Sequence, residues 1–204
     1  MVDIFYLGHS AFLIKTESIS FVIDPYKKDS VPGLDMPIIE ADAVFCSHEH
    51  FDHNGREMVK LTNRKVDIDY QTIVVPHDKE NGAKRGLNKI HIFNLDNYRI
   101  AHLGDIGCIP SPDVLKQLSD IDIVLAPING FFTISAQELH DICEIIKPRI
   151  VVPMHYFRKE NNSGYPDGGQ IDIFKRLYPH YLKVNDNHIN LNDDLFKNSV
   201  VIFE

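Results

Sequence analysis

One run of seven residues constrains this chain more than any other feature: Ser47-His48-Glu49-His50-Phe51-Asp52-His53, with three histidines and Asp52 inside six consecutive positions. It directly follows Ala43-Val44-Phe45-Cys46, a short apolar stretch that reads as a buried strand. Imidazole nitrogen and carboxylate oxygen suit a borderline-soft divalent ion, and a tight loop can fan alternate residues toward two neighbouring centres. The competing explanation is a polar surface loop with capping histidines, but solvation rarely requires three histidines beside an apolar strand.

A loop divided between two centres completes neither, so further ligands are expected from distant strand ends. Ile100-Ala101-His102-Leu103-Gly104-Asp105 and Val151-Val152-Pro153-Met154-His155 each place such residues after an apolar run. His102, Asp105 and His155 meet the requirement, although each taken alone could equally serve packing or a turn.

The rest of the chain reads as a scaffold for strand ends. Short strands over 4–7, 11–14 and 19–23 form an N-terminal meander, and the third stops at Asp24-Pro25. Asn54-Gly55 followed by Arg56 to Leu61 predicts a turn entering a short helix. A strand over 72–75 ends at Pro76-His77, before a charged loop from Asp78 to Asn88 that lacks an apolar face and is expected to be mobile. Asp96-Asn97 separates two strands of a hairpin, and a helix is predicted over 112–118. Ser135-x-x-Glu138 is a capping box ahead of the stripe Leu139, Ile142, Ile145, Ile146. Strands at 122–126 and 150–153, a flexible loop at 164–169, a late helix at 171–177 and a strand at 200–203 complete the pattern. A meander followed by strands alternating with helices predicts two sheets packed face to face with helices outside.

At 204 residues the chain has the length of a single domain, 1–204. A formal net charge of -8 gives no general attraction for nucleic acid or an anionic membrane. Three cysteines form no paired framework, and the N-terminus has no basic stretch leading into an apolar run, so a cytoplasmic protein is expected.

The phrases Ser-His-x-His-x-Asp-His at 47–53, Gly-Asp at 104–105 and the downstream His155 resemble the metallo-beta-lactamase-fold hydrolases. Gly8-His9-Ser10-Ala11-Phe12, Ile23-Asp24-Pro25, His102-Leu103-Gly104-Asp105-Ile106-Gly107 and Val152-Pro153-Met154-His155-Tyr156 are more specifically similar to the branch containing ascorbate-6-phosphate lactonase and its relatives. The resemblance spans residues 4–156 and implies an α/β four-layer αββα sandwich with a shortened first half, since 63–71 is too short for the strand and helix that relatives carry there. It implies His48, His50 and His102 on a first metal, Asp52, His53 and His155 on a second, and Asp105 bridging both. His9, Asp24 and His77 also match family positions, as groups that orient ligands or approach substrate. Asn129-Gly130-Phe131-Phe132-Thr133 stands where relatives have a Gly-rich loop, which implies a reshaped pocket wall.

The activity this implies is hydrolysis of a small ester, lactone or phosphorylated metabolite by a hydroxide bridging two divalent ions, with Asp52, His9 and His77 nearest the chemistry. Zinc is favoured, and Mn(II) or Fe(II) suit the same donors. Lys84 and Arg85, or Arg158 and Lys159, are candidate receptors for an anionic substrate. A nuclease or phosphodiesterase is disfavoured by the acidic balance, while a non-catalytic metal-binding scaffold and a homo-oligomer stay open.

Overall fold

The computed structural model describes residues 1–191 and 200–203. Strands β1 (Val2–Gly8), β2 (Ala11–Lys15) and β3 (Ser20–Ile23) form the expected antiparallel meander. The chain then runs through β4 (Ile39–Ala41) to β5 (Ala43–Phe45), which lies parallel to β3, while β6 (Val59–Leu61) pairs in parallel with β4. There follow β7 (Tyr70–Pro76), β8 (Leu87–Leu95), β9 (Tyr98–His102), α1 (Pro112–Gln117), β10 (Ile123–Pro127), α2 (Ala136–Ile146) and β11 (Ile150–Met154). Helix α3 (Ile171–Leu177) and strands β12 (Leu182–Val184), β13 (His188–Leu191) and β14 (Val201–Phe203) close the series.

Two five-stranded sheets result, ordered β13-β1-β2-β3-β5 and β11-β10-β9-β8-β7. Alternation decides how they meet. Ile4, Phe12, Ile14, Phe21 and Ile23 of the first sheet face Phe93, Ile100, Ile123, Leu125 and Val152 of the second in one fully buried layer. The opposite face of the second sheet, carrying Ile92, Ala101, Val124 and Ala126, packs against Leu139 and Ile142 of α2 and Phe174 of α3. Helix α2 starts at the predicted capping box, with Ser135 and Glu138 each bonded to the other's backbone N–H.

The outer face of the first sheet is covered differently. Ala11, Leu13 and Val22 lie under Tyr26, Val31 and Met36 of the long β3–β4 loop and under Ala41 and Val59 of the β4/β6 ribbon. The helix expected from Arg56 to Leu61 is a single 3-10 turn, Arg56–Met58, followed by β6. The second half of the segment forms a strand instead, because Val59 buries its side chain by pairing opposite Ile39. This fourth layer is thus built of loop and ribbon. Among the described residues no helix is long and apolar enough to cross a membrane.

Strand direction positions the site. Within the first sheet β1, β3 and β5 run the same way, and within the second so do β7, β9, β10 and β11. The chain leaves these strands at His9, Asp24, the 46–53 loop, His77, the 103–105 segment and His155, so the polar candidates all follow C-terminal strand ends.

Candidate metal centre

Leaving a strand abruptly requires unusual backbone, and His9, Asp24 and His155 all have positive φ, at 55°, 46° and 56°. Non-glycine residues in that region are costly and concentrate where geometry is dictated by function. Their turns bring two groups of donors together. His48, His50 and His77 place one ligand atom each within 4.8 Å of one another, and so do His9, Asp52, His53 and His155. Asp105 lies between the groups, its Oδ2 3.6 Å from His77 Nε2, 3.2 Å from His53 Nε2 and 3.1 Å from His155 Nε2.

Buried hydrogen bonds aim these side chains. The Asp24 carboxylate accepts the Ser47 backbone N–H and hydroxyl, both at 2.6 Å, and His53 Nδ1–H at 2.8 Å, which turns His53 Nε2 toward the centre. Ser47 Oγ is also 2.9 Å from His48 Nδ1, leaving His48 Nε2 3.0 Å from His50 Nδ1. The Asp105 backbone N–H donates to Asn88 Oδ1, and Asn88 in turn donates to the Leu103 carbonyl. Gly104, at φ +55°, must be glycine, because a Cβ there would overlap Asn88 Oδ1 and the Ser47 side chain. His9 Nε2 stands 3.2 Å from Asp52 Oδ2.

The electrostatics of the cluster favour a cation. Burial by itself would lower the pKa of His53, but the charges of Asp105, Asp52 and Asp24 outweigh it and push the imidazole well above its ordinary range. Burial, then the nearby His53, pulls His48 down to about 3, and burial with His155 pulls His9 down to about 4. Those two imidazoles are therefore neutral at pH 7 and have a lone pair to give. His53 Nε2, Asp105 Oδ1, His77 Nδ1 and His155 Nδ1 are buried without any hydrogen-bond partner. Three carboxylates, the neutral His48 and His9, and these unsatisfied buried atoms fit a divalent metal.

His102 is not brought into either group. Its Nε2 donates to the Ser10 carbonyl at 2.9 Å and its Nδ1 accepts the Gly104 N–H at 3.2 Å, so no lone pair remains for a metal. That geometry corrects the expectation that His102 joins His48 and His50; His77, expected to face substrate, stands there instead.

A cavity of about 320 Å³ opens on the centre, floored by His50, Asp52, His77, Asp105 and His155 and walled by Arg85, Phe132 and Tyr165. Asn129 holds the Phe132 wall in place: its Oδ1 accepts the Phe131 and Phe132 N–H groups. Tyr165 stacks beside His155 and donates to the Ser30 carbonyl, while burial, reinforced by the Asp52 charge, pushes its phenol up and keeps it protonated. Sequence reasoning missed Asn88 and Tyr165. Each sits in a segment read as a polar loop, and only their distant partners distinguish them. Arg158 lines a separate cavity with Tyr6 and Phe203, and Lys159 pairs with Asp172, so neither faces the centre.

Residues 3–155 match the family model of the beta-lactamase superfamily domain. The chain is 33% identical over 203 residues to a UPF0173 protein of Pyrococcus abyssi, covering 86% of this chain and 90% of that one. It is 31% identical over 212 residues to a UPF0173 metal-dependent hydrolase of Thermococcus onnurineus, covering 87% and 92%. A Thermotoga maritima structure of the metallo-beta-lactamase superfamily matches with a TM-score of 0.77 at 24% identity, covering 100% of this chain and 99% of that one.

Proposed function

This chain belongs to the beta-lactamase superfamily, among its metal-dependent hydrolases, and from that premise we propose that it cleaves a small ester, lactone or phosphorylated metabolite at a dinuclear site. In this reading His48, His50 and His77 hold the first ion and Asp52, His53 and His155 the second, with Asp105 shared. The observation that carries it is Asp105 Oδ2, which lies within 3.6 Å of imidazole nitrogens from both donor groups. Zinc suits the mixed donors, as would Mn(II) or Fe(II).

Bound divalent ions supply a water acidified toward neutral pH and positive charge opposite a developing oxyanion. The chain's own residues do the rest. Asp52, with 16% of its side chain exposed, keeps its carboxyl ionised: burial opposes this, but the His53 charge and the His9 hydrogen bond prevail. It therefore accepts a hydrogen bond from the attacking water and fixes its direction, while His9 holds Asp52 from behind. Asp24 keeps His53 from rotating. Phe132 and Tyr165 narrow the cavity and exclude bulk solvent. Free Cys46, Cys108 and Cys143 suit a reducing, cytoplasmic setting.

Metal analysis beside an esterase and lactonase screen tests the reading. His77→Ala and His50→Ala are expected to lose bound metal and turnover, whereas His102→Ala keeps its metal and loses stability by about 1–3 kcal/mol, since the Ser10 carbonyl is left unpaired. Full metal content in the His77 variant, with none in the His102 variant, would reverse the assignment.

A further inference from the structure

We infer that Arg85 is the anion receptor of this centre, so that the substrate is a small ester or lactone bearing a phosphate or carboxylate apart from the bond that is cut. The inference rests on the dinuclear reading above and adds the class of molecule it accepts.

Among the described residues Arg85 is the one cationic side chain on the wall of the cavity over the metal donors. It also borders both adjoining cavities, one beside His48 and His50 and one beside Gly107, Gly130 and Thr133. A group bound there is thus adjacent to the reacting end of a ligand and at the junction of all three spaces. The neighbouring lysines are already engaged, Lys79 with Glu138 at 2.6 Å and Lys84 with Glu80. Arg85 has no carboxylate partner among the described residues; its guanidinium lies 5.5 Å from the centroid of the Phe132 ring. That cation–π contact engages the guanidinium without using its N–H donors, whose paired edge matches phosphate and carboxylate oxygens.

The position is built in advance. One oxygen of Asp78 accepts the N–H groups of Glu80 and Gly82 at 2.7 and 2.9 Å, and the other accepts those of Lys84 and Arg85 at 2.9 and 2.8 Å. The loop then closes where His77 N–H donates to the Gly86 carbonyl. The segment expected to be mobile is therefore wrapped around a buried carboxylate and tied to a metal-donor residue at its base. Holding the cation in place before binding lowers the ordering cost of capturing an anion. A chain of net charge -8 otherwise repels anions, so a fixed cation at this mouth sets what enters.

The test uses zinc-loaded wild type, Arg85→Met and Arg85→Lys, each with its metal content measured. Calorimetric titration with inorganic phosphate and with acetate is run beside hydrolysis of 4-nitrophenyl butyrate and of 4-nitrophenyl hemisuccinate, which carries a carboxylate in place of the terminal methyl of the same four-carbon acyl chain. Arg85→Met is expected to weaken anion binding about 10- to 100-fold, and to lose at least that much more kcat/KM on the hemisuccinate than on the butyrate, through KM. Arg85→Lys should recover part of both. Whichever anion shows the loss, phosphate or acetate, identifies the group carried by the substrate. A metal-loaded wild type that binds neither anion, or an Arg85→Met protein that binds both as tightly, overturns this inference alone. Absence of metal uptake by the wild type overturns the dinuclear reading beneath it and the inference with it.

Discussion

Asp24 is fully buried, and three hydrogen bonds converge on its carboxylate and set the orientation of His53. Asp24→Asn keeps the volume but offers one acceptor oxygen where two are used, so His53 loses its fixed direction. The expected outcome is a metal dissociation constant raised about 10- to 100-fold, measured by competition with a chromogenic chelator, with the far-ultraviolet circular dichroism retained. This scale is also where sequence was least informative. His77 and His102 both follow apolar strands, and the difference between them is the Ser10 carbonyl, 92 positions from His102, which occupies its Nε2. No local pattern predicts that contact. The 47–53 run was legible because its donors are contiguous, and Asp24 only because it matches a position of the family that the chain resembles.

At the scale of elements, apolar runs bounded by turn residues made most strands readable, and the Ser135–Glu138 pair announced the start of α2. The β4/β6 ribbon was not readable, since three-residue strands carry no periodicity and form only by pairing with each other. Asp42 pins this ribbon to the first sheet, accepting hydrogen bonds from the Ser20 N–H and hydroxyl and from the Thr62 hydroxyl. Burial would push its carboxyl up, but the Thr62 and Ser20 bonds prevail and hold it below the usual carboxylate range. A folded value lower than the unfolded one, about 3.9, adds stability above that pH and loses it as pH falls through the folded value. Asp42→Asn should therefore cost about 1 kcal/mol at pH 7, with the difference from wild type shrinking below pH 4. Urea unfolding at pH 7 and at pH 3 measures both, and an equal difference at the two values would contradict the ionic role.

For the whole molecule, the two five-stranded sheets and helices α1 to α3 close their own cores, while the candidate metal centre gathers residues that follow β1, β3, β5, β7, β9 and β11 at one edge of the sandwich. Without a cation the same edge holds Asp24, Asp52 and Asp105 around His53. Metal at about a thousand times its dissociation constant adds roughly 4 kcal/mol, worth about 8–16 °C in melting temperature for a chain of this size. Calorimetric melts before and after dialysis against a chelator should show that drop, reversed by zinc. Identical melts would mean the donors hold nothing.

Since the strands that carry the centre all run out toward it, their return turns at 16–18 and 96–97 lie at the other end of the sandwich. That separation makes those two turns natural attachment points. A fluorophore, a tether or a short inserted peptide could be placed there to report on turnover without perturbing it.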